Sequence, residues 1–131
     1  MGKRKRQCFV AVVDDDAAVC AATANLLNSH GVATRGFSSA EQFLRARGGR
    51  NADCLILDLQ LPGMSGLDLQ RELRSRGLSI PVIFATAEDD PDGRLETKLL
   101  GAGAVAVLRK PFDPERLRQL VQAALEAHLQ P

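Results

Sequence analysis

The sequence predicts a doubly wound α/β domain, a parallel sheet with helices on both faces. Short apolar runs of strand length alternate five times with segments of helical spacing, and a parallel connection must cross over through a helix. Three of the runs, the first, third and fourth, are almost continuously apolar, as strands buried on both faces are. Capping and stop residues fall at the joints that this alternation requires.

The first strand is expected over Cys8–Val13, followed by a helix that groups Val19, Leu26 and Leu27 on one face. The second covers Val32–Phe37, and its helix carries Ala40, Phe43 and Leu44 behind a capping box at Ser38-x-x-Glu41. The third strand is Cys54–Leu57, with Leu69 and Leu73 on the next helix. The fourth is Pro81–Ala85, with Leu95 and Leu99, and Asp90-Pro91 offers an N-cap carboxylate followed by a first-turn proline. The fifth strand is Ala104–Leu108. The last helix starts at Asp113-Pro114 and repeats Leu117, Leu120, Val121, Ala124 and Leu125 at i, i+3, i+4, i+7 and i+8. Gly31 and Gly77 stand where the first and third helices should stop.

Composition excludes several classes. The 131 residues suit one core, and 45% hydrophobic with 25% charged residues is soluble globular composition. No apolar run approaches the roughly 18 residues of a membrane helix, and no apolar signal region follows the basic N-terminus. Cys8, Cys20 and Cys54 are odd in number and widely spaced, which argues against a disulfide scaffold or a zinc site. They are expected to be buried and inert, in a cytoplasmic protein. The net charge of +1 combines two unequal parts. Lys3, Arg4, Lys5 and Arg6 supply four positive charges, so 13 basic residues face 16 acidic ones elsewhere, a net of −3. Residues 1–7 are expected to be a disordered basic arm. Without an interleaved aromatic, the arm is a weak nucleic-acid signal, and no direct nucleic-acid binding is expected of the domain.

In parallel sheets, ligands bind beyond the C-terminal strand ends. Those ends carry Asp14-Asp15-Asp16, then Asp58, Thr86 and Arg109-Lys110-Pro111. Asp16 reads as the N-cap of the first helix. Carboxylates about 5 Å apart repel by roughly 3 kcal/mol per pair at an effective dielectric near 20, so the cluster calls for a hard divalent cation such as Mg²⁺. With a hydroxyl and an ammonium beside it, the pocket suits a phosphoryl group, toward which Asp58 is a competent nucleophile.

Four stretches, in this order, carry a resemblance: Val12-Val13-Asp14-Asp15-Asp16, Leu55 to Gly66, Ala85-Thr86-Ala87 and Lys110-Pro111-Phe112. Together they resemble the receiver domain of two-component response regulators, especially receivers of FixJ-like transcriptional regulators, over residues 8–127. Residues 128–131 are left as a tail. The resemblance implies a flavodoxin-like (βα)5 fold with strand order 2-1-3-4-5. It implies that Asp58 is the phospho-acceptor and that Asp15, Asp14 and the Gln60 carbonyl serve Mg²⁺ along with Asp58. Thr86 and Lys110 would hold phosphoryl oxygens, and the Lys110–Pro111 bond would be cis. Gln60 and Glu88 would set the lifetime of the acyl phosphate, with small Ala87 leaving access open. The implied partners are a histidine kinase or phosphotransfer protein, and a second copy met through the helix 4, strand 5 and helix 5 face, where Val105 and Val107 lie.

The pattern also departs from the family. Receivers commonly carry Tyr or Phe three residues before the lysine, and here Val107 stands there, with no rotamer swing to couple to Thr86. The turn-rich Asp89-Asp90-Pro91-Asp92-Gly93 is expected to order on phosphorylation. Three rival readings remain. A dehalogenase-type phosphatase would need an acid where Gln60 stands. A degenerate docking module is at odds with the intact Asp14, Asp15, Asp58, Thr86 and Lys110. The chain is either a single-domain regulator or the receiver part of a longer one, and Ile80-Pro81-Val82, Gly103-Ala104-Val105 and Lys110-Pro111-Phe112 resemble receivers that precede a helix-turn-helix in transcription factors. Apart from taking up a phosphoryl group and losing it again, no enzymatic turnover is expected.

Overall fold

The structure, a computed structural model, describes residues 8–47 and 49–129. The expected basic arm, residues 1–7, lies outside them. The chain runs β1 (Phe9–Val13), α1 (Ala17–Ser29), β2 (Ala33–Phe37), α2 (Ala40–Arg45), a 3₁₀ turn (Gly49–Asn51), β3 (Cys54–Asp58), α3 (Gly66–Ser75), β4 (Val82–Thr86), α4 (Arg94–Gly101), β5 (Ala106–Arg109) and α5 (Pro114–Leu129). All strand pairs are parallel, in the order β2-β1-β3-β4-β5. This is the order that the resemblance implied.

Strand periodicity divides the core into two layers. Val10, Val12, Cys54, Ile56, Ile83 and Leu108 face Leu27 of α1 and Leu117, Val121 and Ala124 of α5. Ala11, Val13, Leu55, Leu57, Val82 and Phe84 face Phe43, Leu69, Leu73 and Leu99 of α2, α3 and α4. Side chains such as Phe84 and Leu55 are fully buried, each worth about 1.5–3 kcal/mol over exposure. Because β1, β3 and β4 are covered on both sides, their C-terminal ends are fixed to each other, and they carry the site.

Several expected boundaries move for local reasons. The α2 cap is one residue later than the Ser38 box: Ser39 Oγ accepts from Gln42 N at 3.0 Å, while Gln42 reaches back to the Ser38 amide. Glu41 instead accepts from Met64 N at 2.9 Å, and that bond holds its carboxyl below the usual range. Asp90 caps α4 from outside the first turn, accepting from Leu95 N and Glu96 N at 2.9 Å each. The N-cap is Gly93, at φ 74°, so Pro91 lies in the preceding turn. Strand β5 starts at Ala106 because Ala104 N still closes α4 on Leu99 O. Helix α5 continues through Leu129, two residues past the expected domain end at 127; His128 Nε2 lies 3.6 Å from the buried Asp53 carboxylate. Gly31 and Gly77 end α1 and α3 as expected.

The cysteines differ from the uniform expectation. Cys54 is buried, and burial pushes its thiol up to about 12. Cys8 and Cys20 are half-buried.

Candidate functional site

Four strands deliver the site. Asp14 follows β1 directly, Asp58 ends β3, Thr86 ends β4, and Lys110 follows β5. Each strand core is apolar until its last position, so the polar side chains emerge together where the sheet stops. Asp14, Asp58 and Thr86 are buried, Lys110 is half-buried and Asp15 is exposed. Ligand oxygens of Asp14, Asp15 and Asp58 lie within 4.8 Å of one another. Asp16 stands apart as the α1 cap, accepting from Ala18 N at 2.9 Å, as the sequence suggested.

The Lys110 ammonium joins two of the carboxylates, at 2.6 Å from Asp14 Oδ2 and 3.2 Å from Asp58 Oδ2. Burial alone would lower its pKa, but the Asp14 hydrogen bond and the charges of Asp58 and Asp14 outweigh burial and raise it. The lysine therefore stays charged. Burial raises the Asp58 carboxyl above its ordinary range, against the opposing pull of the Gln60 amide, which bonds Oδ1 at 3.1 Å, and of Lys110. The Lys110–Pro111 bond is cis.

The remaining predicted residues form a rim. Gln60 Nε2 donates to Glu88 Oε1 at 2.7 Å, bridging the β3 and β4 ends. Thr86 Oγ1 accepts from Glu88 N at 3.0 Å. Ala87 is exposed. Val107 is half-buried and packs on the core layer of α3 and α4, away from this rim. The segment expected to order is already tied down by Glu88, by Asp90 and by Asp89, whose Oδ1 lies 3.3 Å from Arg109 Nη2. Each of the three acids thus has a donor within reach.

One position was quoted in the sequence without a role. A Cβ on Gly66 would lie 3.1 Å from the Asp58 carbonyl carbon and from Leu59 Cα, and closer still to the Asp58 carbonyl oxygen. The first turn of α3 thus rests directly on the backbone that carries Asp58. A glycine at the start of a helix, eight positions after a strand ends, is unremarkable by sequence, and the contact exists only in three dimensions.

Three clustered carboxylates with one exposed member are an all-oxygen donor set, which fits a hard divalent cation that keeps some of its water. A profile for the response regulator receiver domain matches residues 10–122. The chain belongs to the response regulator receiver family. Response regulator protein TodT of Pseudomonas putida is 40% identical over 121 residues, covering 92% of this chain and 52% of TodT. Transcriptional regulatory protein FixJ of Azorhizobium caulinodans is 40% identical over 116 residues, covering 88% of this chain and 54% of FixJ. The receiver therefore spans about half the length of these curated relatives. Among solved receivers, the FixJ-N crystal structure superposes with a TM-score of 0.80 at 32% identity, over 97% of this chain and 99% of that one. A receiver protein from Burkholderia phymatum gives 0.78 at 43% identity, over 92% and 96%. The relatives are regulators. Among the described residues, no helix is long and apolar enough to cross a membrane.

Proposed function

We propose that this receiver is a phosphorylation-driven switch whose acceptor is Asp58. The observation that carries the reading is the Asp58 carboxylate beside two further carboxylates within 4.8 Å, with Lys110 Nζ at 3.2 Å. The donor is phosphohistidine on a histidine kinase or phosphotransfer protein, or a small acyl phosphate. An Asp58 carboxylate oxygen attacks phosphorus, the bond from phosphorus to the donor atom breaks, and the donor leaves with that electron pair. Lys110 and the Thr86 hydroxyl hold phosphoryl oxygens as charge develops on them, so catalysis is positioning and electrostatics. Asp14, Asp15, Asp58 and the Gln60 carbonyl hold Mg²⁺, which when bound offsets charge on the transferring group. Water later cleaves the acyl phosphate at a rate set by Gln60 and Glu88. The cytoplasm, where histidine kinases present their phosphohistidine, is the compartment this role needs.

The output is a change in the α4, β5 and α5 face, which meets a second copy or an effector domain. Leu100 and Val105 on this face are 42% and 53% exposed, unusual for large apolar side chains here.

Intact mass after incubation with acetyl phosphate and Mg²⁺ tests the acceptor. The wild type gains one phosphoryl group and Asp58→Asn gains none. An unmodified wild type, or an equal gain in the variant, overturns the reading and leaves the fold untouched.

A further inference from the structure

The bend that follows β3 is closed from outside. It reads Leu61-Pro62-Gly63-Met64, and Gly63 has φ 76°. In a turn closed by its own backbone, the last amide donates to the first carbonyl. Here that amide, Met64 N, donates to Glu41 Oε2 at 2.9 Å. The acceptor comes from the first turn of α2, 23 positions earlier in the chain. Glu41 is available for it because Ser39 caps α2 and Gln42 reaches back to Ser38. Gly63 leaves the room, since a Cβ there would lie 2.6 Å from the same carboxylate oxygen.

We propose that Glu41 is a positioning residue of the cation site, which fixes the direction of the Gln60 carbonyl by closing the Leu61–Met64 bend through the Met64 amide. The proposal rests on the reading of Gln60, with Asp14, Asp15 and Asp58, as the Mg²⁺ ligands.

Both ends of the segment are secured without Glu41. At the near end, Leu59 N bonds Ala85 O and Gln60 N bonds Asp58 Oδ1, each at 3.1 Å. At the far end, Gly66 N bonds Leu59 O and Ser65 Oγ caps α3 through Asp68 N. Leu61 is buried in the core and Met64 packs at its edge, but neither contact fixes how the peptides between them turn. Pro62 and Gly63 are exposed, so the Glu41 bond restrains that stretch. The Gln60 carbonyl shares a rigid peptide plane with Leu61 N, and its direction therefore follows the bend. The carboxylate suits the task. It is half-buried at the positive end of α2, and the Met64 bond lowers its pKa, so it stays an ionised acceptor at neutral pH. Asp14 is held separately, by Phe37 O and Lys110. Loss of the Glu41 bond thus spreads one ligand over several directions while Asp14 stays in place, which weakens the site without abolishing it.

The test is calorimetric titration of the protein with Mg²⁺, beside amide exchange at Met64 and phosphoryl uptake from acetyl phosphate. Glu41→Ala is expected to weaken Mg²⁺ binding about ten-fold and to speed Met64 exchange about ten-fold. Its uptake falls at low Mg²⁺ and recovers as Mg²⁺ is raised to saturation. Glu41→Gln keeps an acceptor in place and is expected to stay within about two-fold of the wild type on each measurement. Ser39→Ala removes the α2 cap, lowers stability and leaves Mg²⁺ affinity unchanged. Equal Mg²⁺ affinity in the wild type and Glu41→Ala overturns the proposal. So does an equal weakening in Ser39→Ala, which would trace the effect to the stability of α2. An uptake deficit in Glu41→Ala that saturating Mg²⁺ does not recover also overturns it. A wild type that binds no Mg²⁺ removes the reading of the cation site, and this role of Glu41 with it.

Discussion

At Gly66, the first turn of α3 passes so close to Asp58 that any side chain would press on its carbonyl group. The obstacle is backbone, which cannot rotate aside as a flexible side chain does. Gly66→Ala is therefore expected to cost about 1–3 kcal/mol in urea denaturation. It should also reduce phosphoryl uptake from acetyl phosphate by at least about ten-fold, since small displacements of a reacting group are costly. Asp58 itself works against the stability of the fold. Burial holds its carboxyl above the ordinary range, so the folded chain binds that proton more tightly than the unfolded one. Stability from the protonated form is fully present at low pH and is lost as pH rises through the raised folded value. Asp58→Asn should thus raise stability at pH 7, and denaturation curves should show the gain shrinking as pH falls through the raised folded value. The types and places of Asp14, Asp58, Thr86 and Lys110 were legible because each ends or follows an apolar run. Gly66 was not, since nothing in its local spacing reports what lies opposite.

At the scale of elements, α4 is the helix whose start departs most from its sequence signals. Its cap is a carboxylate four residues before the first helical position, and its N-cap residue is a glycine without a side-chain bond. Asp-Pro reads as a cap with a first-turn proline when only neighbours along the chain are considered. Here the Asp90 side chain spans the Pro91-Asp92-Gly93 turn instead. The Glu96 and Leu95 amides hold the Asp90 carboxyl below its usual range. Its contribution is present above the ordinary carboxylate range and is lost as pH falls through the lowered folded value. Asp90→Ala is expected to speed exchange of the Leu95 and Glu96 amides about five-fold while leaving that of α3 unchanged. The strands were read to within two residues because their apolar runs are bounded on both sides. Helix starts were less legible, because Ser38, Ser39, Asp90 and Gly93 all carry acceptable capping chemistry and tertiary geometry selects among them.

Over the whole molecule, the parallel order places four strand ends at one pole, and the acid cluster there is balanced by a single ammonium. The three carboxylates are the part of the fold with most to gain from a cation. Mg²⁺ at ten times its dissociation constant is expected to add about 1.4 kcal/mol, or about 4 °C in Tm, reversed by EDTA. Asp15→Asn should lose most of that shift. The same topology has a consequence for how the protein becomes functional. Lys110 and Asp14 are separated by 96 positions, with every other strand of the sheet lying between them in the chain. Their contact closes only after the last strand has docked, among the slowest kinds of event in a folding chain. On the proposed reading of Asp58 as acceptor, a chain whose last strand has not docked would hold that aspartate without Lys110 beside it, and phosphoryl uptake would then report completed folding.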